Sequence, residues 1–182
     1  LNNALDALGL NGQSVPENEM ARKLESALSD LLQKDIKLTD GEPDPAANGQ
    51  EAEAPSTFIF SQTDPLRVQF DNNQLVLFMR MGVAQEGKEE IPEQIIEIPI
   101  NLSVADGKII LDPGRIGVTS LDEPDKLKQV TRANQIRRIL SRRFERKEKD
   151  AKINLQPENE KGLEVTVTTL QTMDGWLTTE VR

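Results

Sequence analysis

Apolar and polar residues alternate over residues 96–104, and this alternation predicts a long strand with one buried face. Ile96, Ile98, Ile100, Leu102 and Val104 fall on one side of the strand, whereas Glu97, Pro99, Asn101 and Ser103 fall on the other. A period of two is typical of a strand that packs one face against a core. Because Pro99 has no backbone N–H to donate, we expect an edge position or a bulge at that residue.

Three turn signals organise the strands into antiparallel hairpins. Asn72-Asn73, Asp106-Gly107 and Asp174-Gly175 each separate two apolar strands, and such residues accept the positive φ of a tight turn. Pairing across the first two turns brings like faces together: Phe70 meets Leu75, Val68 meets Leu77, Leu66 meets Met79, Val104 meets Ile109, and Leu102 meets Leu111. The alternation slips between Val167 and Leu170, so we expect a bulge there.

Helical spacing marks two further stretches, residues 16–34 and 124–147. The second has its apolar residues at three- and four-residue steps, which predicts one buried stripe made of Leu127, Val130, Ala133, Ile136, Leu140 and Phe144. We therefore predict one α+β domain over residues 1–182. A curved antiparallel meander sheet packs on this long amphipathic helix, with an N-terminal helix and a C-terminal hairpin completing the fold.

Residues 40–56 are rich in acids, proline, glycine and alanine, and they lack large apolar side chains. This composition is typical of a flexible acidic loop, because it offers too little apolar surface to bury. Asp40, Glu42 and Asp44 alternate like the start of a calcium loop. The glycine falls too early for such a loop and Pro43 interrupts it, so we interpret the segment as a linker inside the domain.

The polar face of the sheet also carries four apolar residues, Val76, Phe78, Ile95 and Ile110. Scattered singly, they need no functional explanation, since many surface positions are apolar. Gathered together, they would form a second buried layer or a groove. We keep them as a hypothetical site for an apolar ligand.

Composition excludes several chemistries. The 182 residues include no histidine and no cysteine, so neither a Ser-His-Asp triad, a cysteine nucleophile nor a zinc site can form. Phosphate-binding and dinucleotide-binding glycine motifs are absent from the sequence, and we expect no catalytic residue, metal or cofactor. The net charge of −9 disfavours nucleic acid and anionic lipid as partners on average, so binding to either would need a local basic patch. No apolar run of about 18 residues predicts a membrane-spanning helix, although peripheral contact with a membrane stays open.

The end of the second predicted helix is strongly basic, with Arg137, Arg138, Arg142, Arg143 and Arg146. One interpretation is that these cations complement the helix dipole and pair with an acidic protein. The other is a docking face for an anionic partner, such as lipid headgroups or an acidic protein segment. A continuous helix would align residues 138, 142, 145 and 149 along one outer row.

The order of elements resembles a known architecture. The segments ENEMARKLESALSDLLQK, IIEIPINLSVADGKIILDPGRIGV and LKQVTRANQIRRILSRRF cover roughly a third of the chain. They resemble the small bacterial envelope lipoproteins of unknown function whose curved sheet wraps a helix, which in turn resemble the half-barrels of tubular lipid-binding domains. The chain differs from these lipoproteins in lacking a lipidation cysteine and in having the acidic insertion at 40–56.

This resemblance implies a non-enzymatic, extracytoplasmic binding module for an apolar, lipid-like ligand or a protein partner, in the periplasm or the cell envelope. The alternative function is a hydrolase that uses a carboxylate pair, since carboxylates are the catalytic groups that the composition leaves in abundance. A hydrolase needs two acids that converge in a concave pocket, whereas a binder needs an apolar gap between helix and sheet.

Overall fold

The computed structural model describes residues 9–20, 22, 23, 26, 55–71, 74–121, 124–142, 144, 146–155, 163–173 and 176–182. In these ranges the strands are β1 (Ser14–Pro16), β2 (Ser56–Phe60), β3 (Leu66–Asp71), β4 (Gln74–Gln85), β5 (Ile91–Ala105), β6 (Lys108–Pro113), β7 (Gly117–Ser120), β8 (Lys147–Asp150), β9 (Lys152–Leu155), β10 (Leu163–Met173) and β11 (Trp176–Val181). The helix α1 spans Lys126–Ser141. Residues 17–20, 22, 23 and 26 are also helical. Pro16, the first residue of the predicted N-terminal helix, instead ends β1, and the rest of that helix lies outside the described residues.

An eight-stranded antiparallel sheet forms most of the molecule and curls into a half-barrel, which agrees with the predicted α+β class. The long strands β4 and β5 pair along their length and make a central ribbon. Each ribbon strand has two short partners on its outer side: β3 and β2 share β4, whereas β6 and β7 share β5. The strands β1 and β8 complete the two ends of the sheet.

The hairpin registers expected from the alternation are confirmed. The β3–β4 pairs include Phe70 with Leu75, and the β5–β6 pairs include Leu102 with Leu111. Asp106 and Gly107 have φ angles of 52° and 70°, the left-handed conformation that a two-residue turn of this kind requires. The Asn72-Asn73 turn lies outside the described residues.

A β-bulge interrupts the central ribbon near its end. Met81 pairs with Gln94 and Val83 pairs with Ile91, so two residues of β5 face Gly82 alone. A Cβ atom at Gly82 would lie 2.7 Å from the carbonyl oxygen of Ile91. The buried Gln94 side chain donates from Nε2 to the carbonyl oxygens of Pro92 and Glu93, both at 3.0 Å. The bulge is therefore held by a close backbone approach and by a buried amide.

Pro99 lies in the central strand β5, which corrects the expectation of an edge strand. On one side it faces Val76 of β4. On the other side the partners of β5 end at Glu97 with β7 and resume at Ile100 with β6. The missing N–H group is tolerated because Pro99 falls in this gap between two partner strands.

The predicted core face is buried except at Val104, which is half-buried beside the second cluster of Ile109, Ala151, Val167 and Leu170. Ile96, Ile98, Ile100 and Leu102 are each at most 6% exposed, and they share one cluster with Ile136, Ile139, Leu140 and Phe144. The apolar face of the sheet thus packs against the C-terminal half of α1 and against Phe144, three residues beyond its end, at about 1.5–3 kcal/mol for each fully buried aliphatic side chain.

The predicted apolar stripe of the helix is wrong at its N-terminal end. Leu127 is 76% exposed and Val130 is 56% exposed. Three consecutive three-residue steps lead from Leu127 to Ile136, and each step falls about 60° short of a full turn. The side chains of Leu127 and Ile136 therefore point to opposite sides of α1. Ile136 is buried on the side that faces the sheet.

The helix also ends earlier than predicted, at Ser141 rather than at residue 147. Lys147 to Asp150 instead form β8, which pairs with β6. Lysine, glutamate and arginine favour a helix locally, but the pairing with β6 is a long-range interaction that overrides this preference. The predicted outer row of residues 138, 142, 145 and 149 therefore does not exist on one helix.

A second sheet with the order β11-β10-β9 contains the predicted C-terminal hairpin. Its register shifts between Val167 and Thr169, which confirms the expected bulge. The chain passes from the first sheet to the second at Ala151, which is fully buried and clusters with Ile109, Val167 and Leu170. The Ala151 N–H donates to the Gly107 carbonyl, and the Ala151 carbonyl accepts from the Val167 N–H.

The predicted acidic loop at 40–56 lies outside the described residues up to residue 54, and Ser56 begins β2. Asp40, Glu42 and Asp44, which alternate like the start of a calcium loop, also lie outside the described residues. Within the part of the chain that the structure describes, no helix is long and apolar enough to span a membrane.

Candidate functional site

A groove runs between the β4–β5 turn and the first half of α1. Its volume is about 430 Å³, and its accessible apolar surface comes chiefly from Leu127, because Ile91, which also lines it, is only 2% exposed. The polar lining includes Lys88, Lys128 and Arg132, with Glu89, Thr131 and Gln135 beside them. Small-molecule sites are typically concave, mostly apolar and oriented by a few polar groups, and they usually hold about 300–1,000 Å³.

Local structure positions both walls of the groove. Asp125 caps α1, because its Oδ1 accepts from the backbone N–H groups of Leu127 at 2.9 Å and Lys128 at 3.4 Å. Across the groove, the Arg132 guanidinium donates to Glu89 Oε1 at 3.1 Å. The Arg132 side chain is 14% exposed and the Glu89 side chain is 80% exposed, so this contact is an ion pair at the surface that links α1 to the β4–β5 turn.

The electrostatics of α1 differ from those of the rest of the chain. The helix sequence KLKQVTRANQIRRILS contains five cations and no acid, in a protein with a net charge of −9. Lys126 and Lys128 lie in the first turn, where the positive end of the helix dipole disfavours cations. The dipole interpretation of the basic residues therefore does not extend to these two lysines.

The four residues of the hypothetical apolar site do not gather at one place. In the sheet register Val76 lies between Gln69 and Pro99, Phe78 between Arg67 and Glu97, Ile95 between Arg80 and Thr119, and Ile110 between Ser103 and Glu148. Val76, Phe78 and Ile95 are neighbours on β4 and β5. The partner of Ile110 on β5 is Ser103, which is eight residues from Ile95, or about 26 Å along the strand, and six residues from the partner of Phe78, so Ile110 lies apart from Phe78 and Ile95.

Cations lie beside the three neighbouring apolar residues. The Arg67 guanidinium carbon is 4.8 Å from the centre of the Phe78 ring, which is a cation–π contact. Arg80, opposite Ile95, donates to Glu93 Oε1 at 2.7 Å from one guanidinium nitrogen and at 3.1 Å from another. The outer face of the sheet is therefore a mixed surface of half-buried apolar and paired charged groups.

The five arginines of the hypothetical docking face have different environments. Arg137 turns toward the sheet connection and donates to the carbonyl oxygen of Ile116 at 2.9 Å. Arg138 and Arg142 are exposed at the end of α1, and Arg143 lies outside the described residues. Arg146 follows the helix and donates to Glu148 Oε1 at 3.1 Å. They do not form a single row.

Two cations, Lys108 and Arg146, donate hydrogen bonds to the carboxylate of Glu148. The hydrogen bond from Lys108 Nζ and then the one from Arg146 hold the pKa of its carboxyl below the ordinary value. A catalytic general acid needs the opposite shift, because it must keep its proton near neutral pH. Among the described residues, no group of three or more acids could hold a metal ion.

Comparison of the chain with protein-family models, with curated proteins and with solved structures finds no match. The groove must therefore be interpreted from its own chemistry.

Sequence reasoning missed the groove, although two signals point to it. One is the run of three-residue steps from Leu127, which places that side chain away from the core. The other is the pair of lysines in the first turn, which the helix dipole disfavours. The contribution of Lys88 and Ile91 has no local signal, because these residues meet α1 only through the tertiary fold.

Proposed function

We propose that this protein is a non-enzymatic binding module that takes the aliphatic part of an anionic ligand in the groove beside α1. The observation that carries the proposal is the joint lining of one groove by the exposed Leu127, with the buried Ile91 behind it, and by Lys88 and Lys128, whereas Arg132 in the same lining is paired with Glu89. Aliphatic surface favours an apolar ligand body, and the cations favour a carboxylate or phosphate head.

An extracytoplasmic location is part of this proposal, and its support is the resemblance to envelope lipoproteins. We prefer the groove to the expected site at Val76, Phe78, Ile95 and Ile110, since the register places Ile110 apart from Phe78 and Ile95. The proposed ligand class stays the apolar, lipid-like one, with an anionic group added because of the lysines.

The test is a titration of the protein with decanoate, followed by NMR shifts of backbone amides. We expect the largest changes at Ile91, Leu127 and Thr131, which line the groove. A Thr131→Phe variant should weaken decanoate binding because the ring occupies the groove. The matched control is Val130→Phe, which adds the same ring at an adjacent exposed position that does not line the groove.

Equal decanoate affinity in the wild type and in Thr131→Phe would refute the groove as the binding site. Shifts centred on the outer sheet face, around Phe78 and Ile95, would instead return the site to the residues expected from the sequence. Native mass spectrometry of the purified protein, with extraction of any bound small molecule, would identify the natural ligand class.

A further inference from the structure

Exposed apolar side chains concentrate at the start of α1. Among the described residues, the exposed large apolar side chains are Leu121, Leu127, Val130 and Val181. The first three fall within ten positions of the chain, whereas Val181 belongs to β11 in the second sheet. Single exposed aliphatics are common on protein surfaces, whereas adjacent ones such as Leu127 and Val130 form a candidate interaction surface.

The helix-tip patch, which we define as Lys126, Leu127, Lys128 and Val130, has a specific geometry. One residue rotates a helix by about 100°, so the two lysines flank Leu127 on opposite sides. Val130 extends the exposed apolar surface to the next turn, away from the buried Ile136 side. Lysine stems can lie along apolar surface while their ammonium groups reach outward into a polar layer.

The five cations of α1 make this helix a local basic element in a protein whose net charge of −9 otherwise disfavours an anionic surface. The helix carries only cations, and the two lysines of the patch lie where the helix dipole disfavours them. The carboxylate of the preceding Asp125 is engaged in capping the helix. Asp122 and Glu123 lie outside the described residues.

We infer that the helix-tip patch inserts Leu127 and Val130 into an anionic lipid surface while Lys126 and Lys128 contact the headgroups. This inference rests on the proposed function, because it names the surface at which the binding module meets its ligand. A lipid surface fits better than a folded protein, since lysine is depleted at protein interfaces and a stable interface needs about 20–30 residues on each side. Aliphatic insertion flanked by lysines is the usual chemistry of peripheral membrane contacts.

The experiment is sedimentation of the full chain with vesicles made of equal parts phosphatidylcholine and phosphatidylglycerol, and with vesicles of phosphatidylcholine alone. We expect the wild type to sediment with the anionic vesicles only, and less so as salt is raised, because salt screens the lysines. The Leu127→Ser/Val130→Ser variant and the Lys126→Gln/Lys128→Gln variant should each lose at least about tenfold in affinity.

Two control variants match these changes. Val181→Ser removes an equally exposed aliphatic side chain from the second sheet, and Arg22→Gln/Arg182→Gln removes two exposed cations elsewhere. Both should retain wild-type sedimentation, and all variants should keep the wild-type melting temperature because the changed side chains are at the surface. Equal loss in a control and in its matched variant would overturn the inference, since net charge or general hydrophobicity would then explain binding.

Absence of wild-type sedimentation with anionic vesicles at low salt would also overturn the inference. Binding of soluble poly-glutamate in place of vesicles would assign the patch to an acidic protein. The proposed function fails separately, because decanoate binding is measured without a membrane and Val130 does not line the groove. Val130→Ser should therefore weaken vesicle binding and leave decanoate affinity unchanged.

Discussion

Replacement of Gly82 by alanine tests whether the bulge in the central ribbon depends on the absence of a side chain. The added Cβ would lie 2.7 Å from the Ile91 carbonyl oxygen and 3.5 Å from Pro92 C and Glu93 N. All three atoms belong to the backbone of β5, so no side chain can rotate away. Relief requires β5 to move, which strains the hydrogen bonds that Gln94 makes to the bulge.

The magnitude follows from two opposing effects. Forcing an extra carbon into a packed site costs about 1–3 kcal/mol, whereas the lower entropy of the unfolded alanine chain returns about 0.4–1 kcal/mol. We therefore expect a net loss of about 1–2 kcal/mol in the free energy of unfolding, which lowers the Tm by about 2–8 °C for a domain of this size. Urea denaturation followed by circular dichroism measures the first quantity, and thermal denaturation measures the second.

The matched control is Gly117→Ala in β7. There the added Cβ would meet the Glu97 Cβ at 3.4 Å, which is an ordinary contact, so the stability should change by no more than about 0.5 kcal/mol. Wild-type stability in Gly82→Ala would refute the reasoning, because the close approach of β4 and β5 would then not constrain residue 82. Equal destabilisation in both variants would show that alanine is disfavoured for a reason unrelated to the bulge.

Two further predictions concern the core face and an ion pair. Ile98→Asp and Leu102→Asp should each unfold or severely destabilise the domain, because each replaces a buried aliphatic side chain by a carboxylate without a partner. The control Ser103→Asp, on the exposed face, should keep the wild-type circular dichroism spectrum. Glu148 has a lowered pKa in the folded state, so its stabilising effect is present above the ordinary glutamate pKa of about 4.3 and is lost as pH falls through the folded value. The Tm difference between the wild type and Glu148→Gln should therefore shrink in acid, and a difference that is constant with pH would contradict the pairing with Lys108.

The strand patterns predicted the sheet well because their constraints are local. A turn dipeptide and a period of two determine which residues face each other across a hairpin, so the pairs Phe70–Leu75 and Leu102–Leu111 followed from the sequence. The bulge beside Val167 followed from a break in the same alternation. The bulge at Gly82 did not, since its cause is the approach of another strand rather than a slip in its own pattern.

The helix was harder to predict because a three-residue step falls short of a full turn whereas a four-residue step exceeds it, so only a mixture of the two keeps side chains on one face. Three successive three-residue steps place Leu127 on the side of α1 opposite Ile136. The apolar residues that the spacing assigns to one stripe therefore lie on an exposed face and a buried face. Its C-terminal limit depended on a strand pairing with β6 that no local pattern encodes. The candidate site could not be predicted for similar reasons. It lies between the exposed face of α1, which the spacing did not indicate, and a turn some forty residues earlier in the chain, which meets α1 only through the tertiary fold.

The buried position of Ala151 between the two sheets restricts their relative motion. Its N–H is bonded to the turn of the first sheet and its carbonyl to a strand of the second, at 2.8 and 2.7 Å. Rotation of the backbone at this residue would break both bonds and expose the fully buried methyl group. We therefore expect no hinge at this crossing point, and the two sheets should move together rather than rotate about Ala151.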